Sequence, residues 1–163
     1  MAFALMYVIT SFGTVADNNM KVSYASSSRL KIDDSSSKTN INIVSIDGSS
    51  SDIVNFTITN NGNTKLWNYD KFTVIVTYDA NISGSKITQT DQLAYEKTCT
   101  YTQGKWCNLQ FINDLQDPGI LNPGESLQIQ SKLFNSVYST SKLVRVVIAT
   151  DNGVISSKSV ILP

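Results

Sequence analysis

The chain has 163 residues, enough for one domain with a short appendage around a single core. Lysine and arginine total 13, aspartate and glutamate total 13, and no run of either sign exceeds two residues, which argues against nucleic acid as a partner. Histidine is absent, removing the commonest general base and the commonest metal ligand together.

Charged residues are only 16% of the chain, while serine, threonine and asparagine abound. Such a surface suits an acidic exterior, where carboxylates protonate and lose their ion pairs. It equally suits any β-rich secreted domain.

From Met1 to Ala16 the sequence MAFALMYVITSFGTVA carries no charge. As a helix it reaches roughly 24 Å, against about 30 Å of bilayer hydrocarbon. No lysine or arginine precedes Lys21, so an ordinary secretory signal fits poorly. Three readings stay open: the outer end of a membrane anchor whose first residues are missing from this chain, a helix buried against other subunits, or a core helix. Residues 1–24 are therefore expected to form a hydrophobic helix or membrane anchor. Residues 25–39 read as a serine-rich linker, because short polar side chains favour local turns over a packed helix.

From residue 40 to 163 the hydrophobic period is two, the mark of half-buried strands. After a first strand from Asn40 to Asp47, Val54, Phe56 and Ile58 share one face and Asn55, Thr57 and Thr59 the other. Asn60-Asn61-Gly62-Asn63 signals a turn, and Phe72, Val74, Val76 and Tyr78 alternate again. Leu93–Tyr101 and Trp106–Ile112 are expected to form a hairpin around Gln103-Gly104. The turn-rich DPGILNPGE precedes Leu127, Ile129 and Leu133; Val144, Val146 and Ile148 form a dense strand, and Val154–Leu162 closes the chain. About eight strands with no helical pattern between them exclude βαβ units. They favour an all-β, immunoglobulin-like antiparallel β-sandwich with an N-terminal hydrophobic helix, with a jelly roll or small barrel as alternatives.

Cys99 and Cys107 flank the expected hairpin turn, with Cys99 sharing a face with Tyr95 and Tyr101, and Cys107 with Leu109 and Phe111. If those faces coincide the sulfurs meet in a disulfide, which implies an oxidising location; otherwise they are two buried thiols. Two sulfurs without histidine or a CxxC do not make a metal site.

No catalytic or cofactor motif is present. Glu125, after Pro123-Gly124, reads as a carboxylate satisfying turn amides. Asn55-Phe56-Thr57 and Asn81-Ile82-Ser83 match the N-glycosylation acceptor pattern, Asn81 in an expected loop and Asn55 on a strand. Ile75, Leu143 and Val147 lie opposite the core-facing residues of their strands. They are either covered by a second layer or form an interface.

A short hydrophobic N-terminal segment followed by NFTITNNGNTKL, KFTVIVTYD, DPGILNPGESLQI and VIATDNGVIS resembles the archaellum stator family FlaF, and more loosely FlaG and archaellin outer domains. The likeness spans most of Asn40 to Val160. It implies an immunoglobulin-like domain held between the cytoplasmic membrane and the S-layer. Such a domain would bind S-layer protein and other archaellum components such as a FlaG-like partner, as a homodimer anchored in the membrane through its N-terminus. Two other functions are compatible with the residues: a filament subunit polymerising through its N-terminal helix, and a carbohydrate-binding sandwich using Trp67, Tyr69 and Trp106 as a stacking platform.

Overall fold

A computed structural model describes residues 2–140 and 142–163, with side chains of the first helix from Met20 onward. Two compact units emerge, residues 1–37 and 38–163.

The first unit is helix α1, Ala2–Lys38. Of the helix or anchor expected over residues 1–24, the side chains of residues 1–19 lie outside the described residues, and Met20, Val22 and Tyr24 are exposed. Among the described residues no helix is long and apolar enough to cross a membrane. The linker expected over residues 25–39 is helical as far as Lys38. Its serines turn inward on the backbone rather than competing with it: the Ser27 and Ser37 hydroxyls donate to the carbonyls of Tyr24 and Asp34, three residues back.

The second unit holds eight strands: β1 Ile41–Ser50, β2 Ile53–Asn60, β3 Thr73–Ile82, β4 Ser85–Tyr95, β5 Lys105–Ile112, β6 Ser126–Lys132, β7 Leu143–Ala149 and β8 Ile155–Ile161. Their hydrogen-bonded order is β1-β2-β6-β5-β4-β3-β7-β8. The ribbon folds over between β5 and β4, giving one layer of β1, β2, β6 and β5 and a second of β4, β3, β7 and β8. At the opposite margin β1 and β8 meet through single bonds, Ile43 N–H to the Ser156 hydroxyl and the Lys158 ammonium to the Val44 carbonyl.

Alternation decides what lies between the layers. Val54, Phe56 and Ile58 of β2, Val74, Val76 and Tyr78 of β3, Leu127 and Ile129 of β6, and Val144, Val146 and Ile148 of β7 are buried together. Each such side chain contributes about 1.5–3 kcal/mol by leaving water. Trp106 is fully buried against Tyr95, and Tyr69 packs between Phe72 and Phe111.

Two expectations change here. The strand expected to start at Leu93 starts at Ser85, because Ser85–Gln92 is a mostly polar edge segment whose sequence resembles a loop. The expected hairpin over Leu93–Ile112 does not form: β4 ends at Tyr95, and Ala94 and Tyr95 pair with Lys105 and Trp106 in parallel. Residues 96–104 instead loop back, helped by Tyr101 and Gly104 at φ of 59° and 72°.

Candidate interaction surface

Where the chain enters the sandwich, backbone bonds fasten it. Asn61 N–H donates to the Asn40 carbonyl at 2.8 Å and Asn63 N–H to the Lys38 carbonyl at 2.7 Å. A Cβ on Gly62 would lie 2.4 Å from Asn40 N and 2.5 Å from Lys38 O, so the Asn-Gly turn is needed here for close approach of two backbones.

Beside this turn, Glu125 is buried and its carboxylate accepts from Asn122 N–H at 2.9 Å, Asn122 Nδ2 at 3.0 Å, Leu115 N–H at 3.2 Å and Gln116 N–H at 3.4 Å. Burial pushes its pKa up, but these donors together outweigh that and hold it below the usual glutamate value. Asp91, also buried, accepts from the Tyr78 hydroxyl at 2.8 Å, Gln89 Nε2 at 2.6 Å and Phe134 N–H at 3.2 Å. Both carboxylates are occupied in holding loops. Among the described residues no three side chains of metal-ligating type converge.

The expected stacking platform is dispersed. Tyr69 and Trp106 are core residues, and only Trp67 of the three is exposed. Burial of the two rings between the layers rules them out as a sugar-binding surface.

The sulfurs of Cys99 and Cys107 are bonded, with Cα atoms 5.4 Å apart. The bridge ties the loop after β4 to the outward side of β5. Cys107 does not share a face with Phe111: an irregularity between Asn108 and Gln110 inverts the alternation, so Cys107 lies opposite Gln130 while Phe111 turns into the core.

The central strands of the two layers differ in what they present to solvent. Across the middle of β2 and β6 the outward row Asn55, Thr57, Thr59, Gln128 and Gln130 is polar, although Ile53 stands at its end and Val44 of β1 and Leu109 and Ile112 of β5 are exposed in the same layer. On the outer side of β3, β7 and β8, Ile75 stands opposite Val147, Ala149 opposite Ile155, and Leu143 opposite Ile161. Ile75 and Val147 are half-buried by their neighbours; Leu143, Ile155 and Ile161 are 49%, 66% and 75% exposed, so no described element covers them. The structure thus gathers Ile75, Leu143 and Val147 on one face. Ile155 and Ile161 were missed in the sequence, although the alternation of VISSKSVIL carries them.

Asn81 is exposed near the end of β3, its Oδ1 accepting from Gly84 N–H at 3.0 Å. Asn55 is half-buried in mid-strand, paired on both sides with Asp47 and Gln130.

A family model described as conserved flagellar protein F, immunoglobulin-like domain, matches residues 35–158. No curated protein matches the chain by sequence. Among solved structures, the archaellum periplasmic stator protein FlaG from Sulfolobus acidocaldarius is 20% identical, with a TM-score of 0.54 over 75% of this chain and 99% of that one. The archaellum periplasmic stator complex of FlaF and FlaG from the same organism gives 19% and 0.54, over 74% and 87%. The archaeal flagellum of Methanospirillum hungatei strain JF1 gives 14% and 0.50, over 99% and 93%. At these identities the likeness is one of fold.

Proposed function

The chain belongs to the conserved flagellar protein F family through its immunoglobulin-like domain, and on that premise we propose that it is a non-enzymatic structural component of the archaellum. In this reading the sandwich stands outside the cytoplasmic membrane, tethered through its N-terminus, and grips S-layer protein or a FlaG-like partner so that the motor is fixed to the envelope. The family membership and the fold shared with periplasmic stator proteins support the location.

The observation that carries the gripping role is the uncovered apolar face of β3, β7 and β8. The aliphatic side chains of Leu143, Ile155 and Ile161, exposed on neighbouring strands of one face, favour a protein-binding surface over a merely solvated one. Neither buried carboxylate is available for acid-base work, since each is saturated with donors. The full-length chain in detergent, presented to purified S-layer protein, is expected to bind, and Ile155→Asp, at a side chain 66% exposed on the edge strand, to weaken binding at least tenfold with little change in the melting temperature. Absence of binding at both neutral and acidic pH would overturn the S-layer role.

A filament subunit is the second reading, favoured by the likeness to the Methanospirillum hungatei flagellum over 99% of this chain. Electron microscopy separates them: a filament subunit polymerises when detergent is withdrawn, whereas a stator component stays a detergent-requiring dimer.

A further inference from the structure

We propose that Asn81 is an N-glycosylation site of this chain and that Asn55, with the same acceptor triplet, is not; the proposal rests on the extracytoplasmic reading above.

The two triplets differ in burial: Asn81 also pairs with Lys86 and donates its N–H to the Ser136 carbonyl at 2.8 Å, but its side chain and Ser83 stay exposed. Asn55-Phe56-Thr57 lies within β2, hydrogen-bonded to β1 on one side and β6 on the other. Phe56 and Thr57 are buried, and Asn55 Oδ1 is sealed from solvent without a partner. A transferase cannot bend this segment into its site, and a glycan attached there would displace the packed outer row of the layer.

Asn81-Ile82-Ser83 runs into the β3–β4 turn, where Ile82 pairs with Ser85 and the two-residue loop Ser83-Gly84 has φ of 54° and 81°. Both values are positive, as a type I′ turn requires. Asn81 and Ser83 are both exposed. The Asn81 carboxamide uses its oxygen to accept the Gly84 N–H, so Nδ2 is the end of the amide left for reaction. The acceptor group and the hydroxyl two residues on therefore reach solvent together on a protruding hairpin.

The position also suits a glycan. Thr73, the first residue of β3, pairs with Ala149, and Asn152 just beyond bonds Thr39, so β3 starts at the end where the chain enters. Asn81 consequently lies at the far end. It lies six positions along the strand from Ile75, or about 20 Å. A glycan at Asn81 leaves the Ile75–Val147 pair clear and stands nearest to Leu143 and Ile161, which lie at the register of Asp79, so it borders the apolar face at that end. It stands opposite Lys86 on β4, whose residues 85–92 pair with β3 alone, and so shelters a free sheet edge.

The donor is an oligosaccharide activated as a lipid phosphate or diphosphate. Asn81 Nδ2 forms a bond to the sugar C1, the C1–O bond to phosphate breaks, the lipid phosphate leaves with the bonding pair, and the amide proton passes to a carboxylate of the transferase. No oxidant or reductant is involved.

The test is mass spectrometry of the full chain purified from the cells that make it. The tryptic peptide spanning residues 72–86 is expected to carry added hexose and N-acetylhexosamine mass, and the peptide spanning 39–65 none. Asn81→Gln and Ser83→Ala should each abolish the modification, while Asn55→Gln leaves it unchanged. Protease digestion of cells stripped of their S-layer, run in parallel, reports location. An unmodified 72–86 peptide in surface-accessible protein overturns the glycosylation and spares the extracytoplasmic reading. A glycan found on Asn55 also overturns the proposal. Protein shielded from protease until the cells are lysed, and unmodified, overturns both.

Discussion

At Glu125 the sequence context Asn-Pro-Gly-Glu already implies a carboxylate turned back on its own loop, and the structure gives it four N–H donors. Alanine at this position leaves buried amides without an acceptor. That costs about 1–3 kcal/mol, and a loss near 2 kcal/mol lowers the melting temperature by roughly 5–10 °C. Its lowered pKa also fixes a pH dependence. A carboxyl held below its unfolded value stabilises the fold fully above about pH 4.3, and that contribution drains away as pH falls through the folded value. Asp52 acts with the same sign, lowered chiefly by its hydrogen bond to the Lys132 ammonium at 2.6 Å, against some desolvation. Urea midpoints measured from roughly pH 3 to pH 5 should therefore rise with pH, and rise less in Glu125→Gln; equal slopes would refute the role given to Glu125. At the alkaline side, burial pushes the Tyr69 and Tyr78 hydroxyls up, with Asp91 adding to the effect at Tyr78. Stability from these neutral phenols is complete below about pH 10, the unfolded value, and declines above it.

Among the elements, the strands whose apolar residues alternate without interruption were the legible ones. Val54, Phe56 and Ile58, or Val144, Val146 and Ile148, point into the core as their spacing dictates. What escaped was whatever breaks the rhythm or lacks grease. Ser85–Gln92 holds one isoleucine among polar residues, because an edge strand facing solvent has little to bury. The irregularity at Asn108–Gln110 shifts the phase by one, so Cys107 was assigned to the wrong side. Helix α1 runs through the serines because their hydroxyls find i−3 carbonyls, a local choice that composition does not reveal. Of the candidate interface, Ile75, Leu143 and Val147 were readable from alternation, while Ile155 and Ile161 needed the neighbouring strand to give them meaning. The disulfide belongs to this scale as well, since it pins a loop to one strand across a sequence separation of 8. Replacing both cysteines by serine should cost roughly 2.5 kcal/mol by loop-closure entropy. A denaturation midpoint unchanged within error would mean that the loop is ordered without the bridge.

For the whole molecule, residues 38–163 form a compact unit with its own core, and the sandwich is expected to fold without the helix. A chain spanning 38–163 should unfold cooperatively at the same midpoint as the full-length protein, by circular dichroism in identical detergent. A drop of more than about 1 kcal/mol, large against typical domain stabilities, would show that the helix contributes to the core. The attachment of the entering chain, through Asn61 to Asn40 and Asn63 to Lys38 with Gly62 pressed between, has a mechanical side. Tension arriving at Lys38 and directed along β1 slides that strand lengthwise past β2, so the rungs joining Ile41–Ser50 to Ile53–Asn60 resist in concert instead of parting one after another. If the chain is anchored through its N-terminus as proposed, a pull that enters at the head of a paired strand meets all its rungs together.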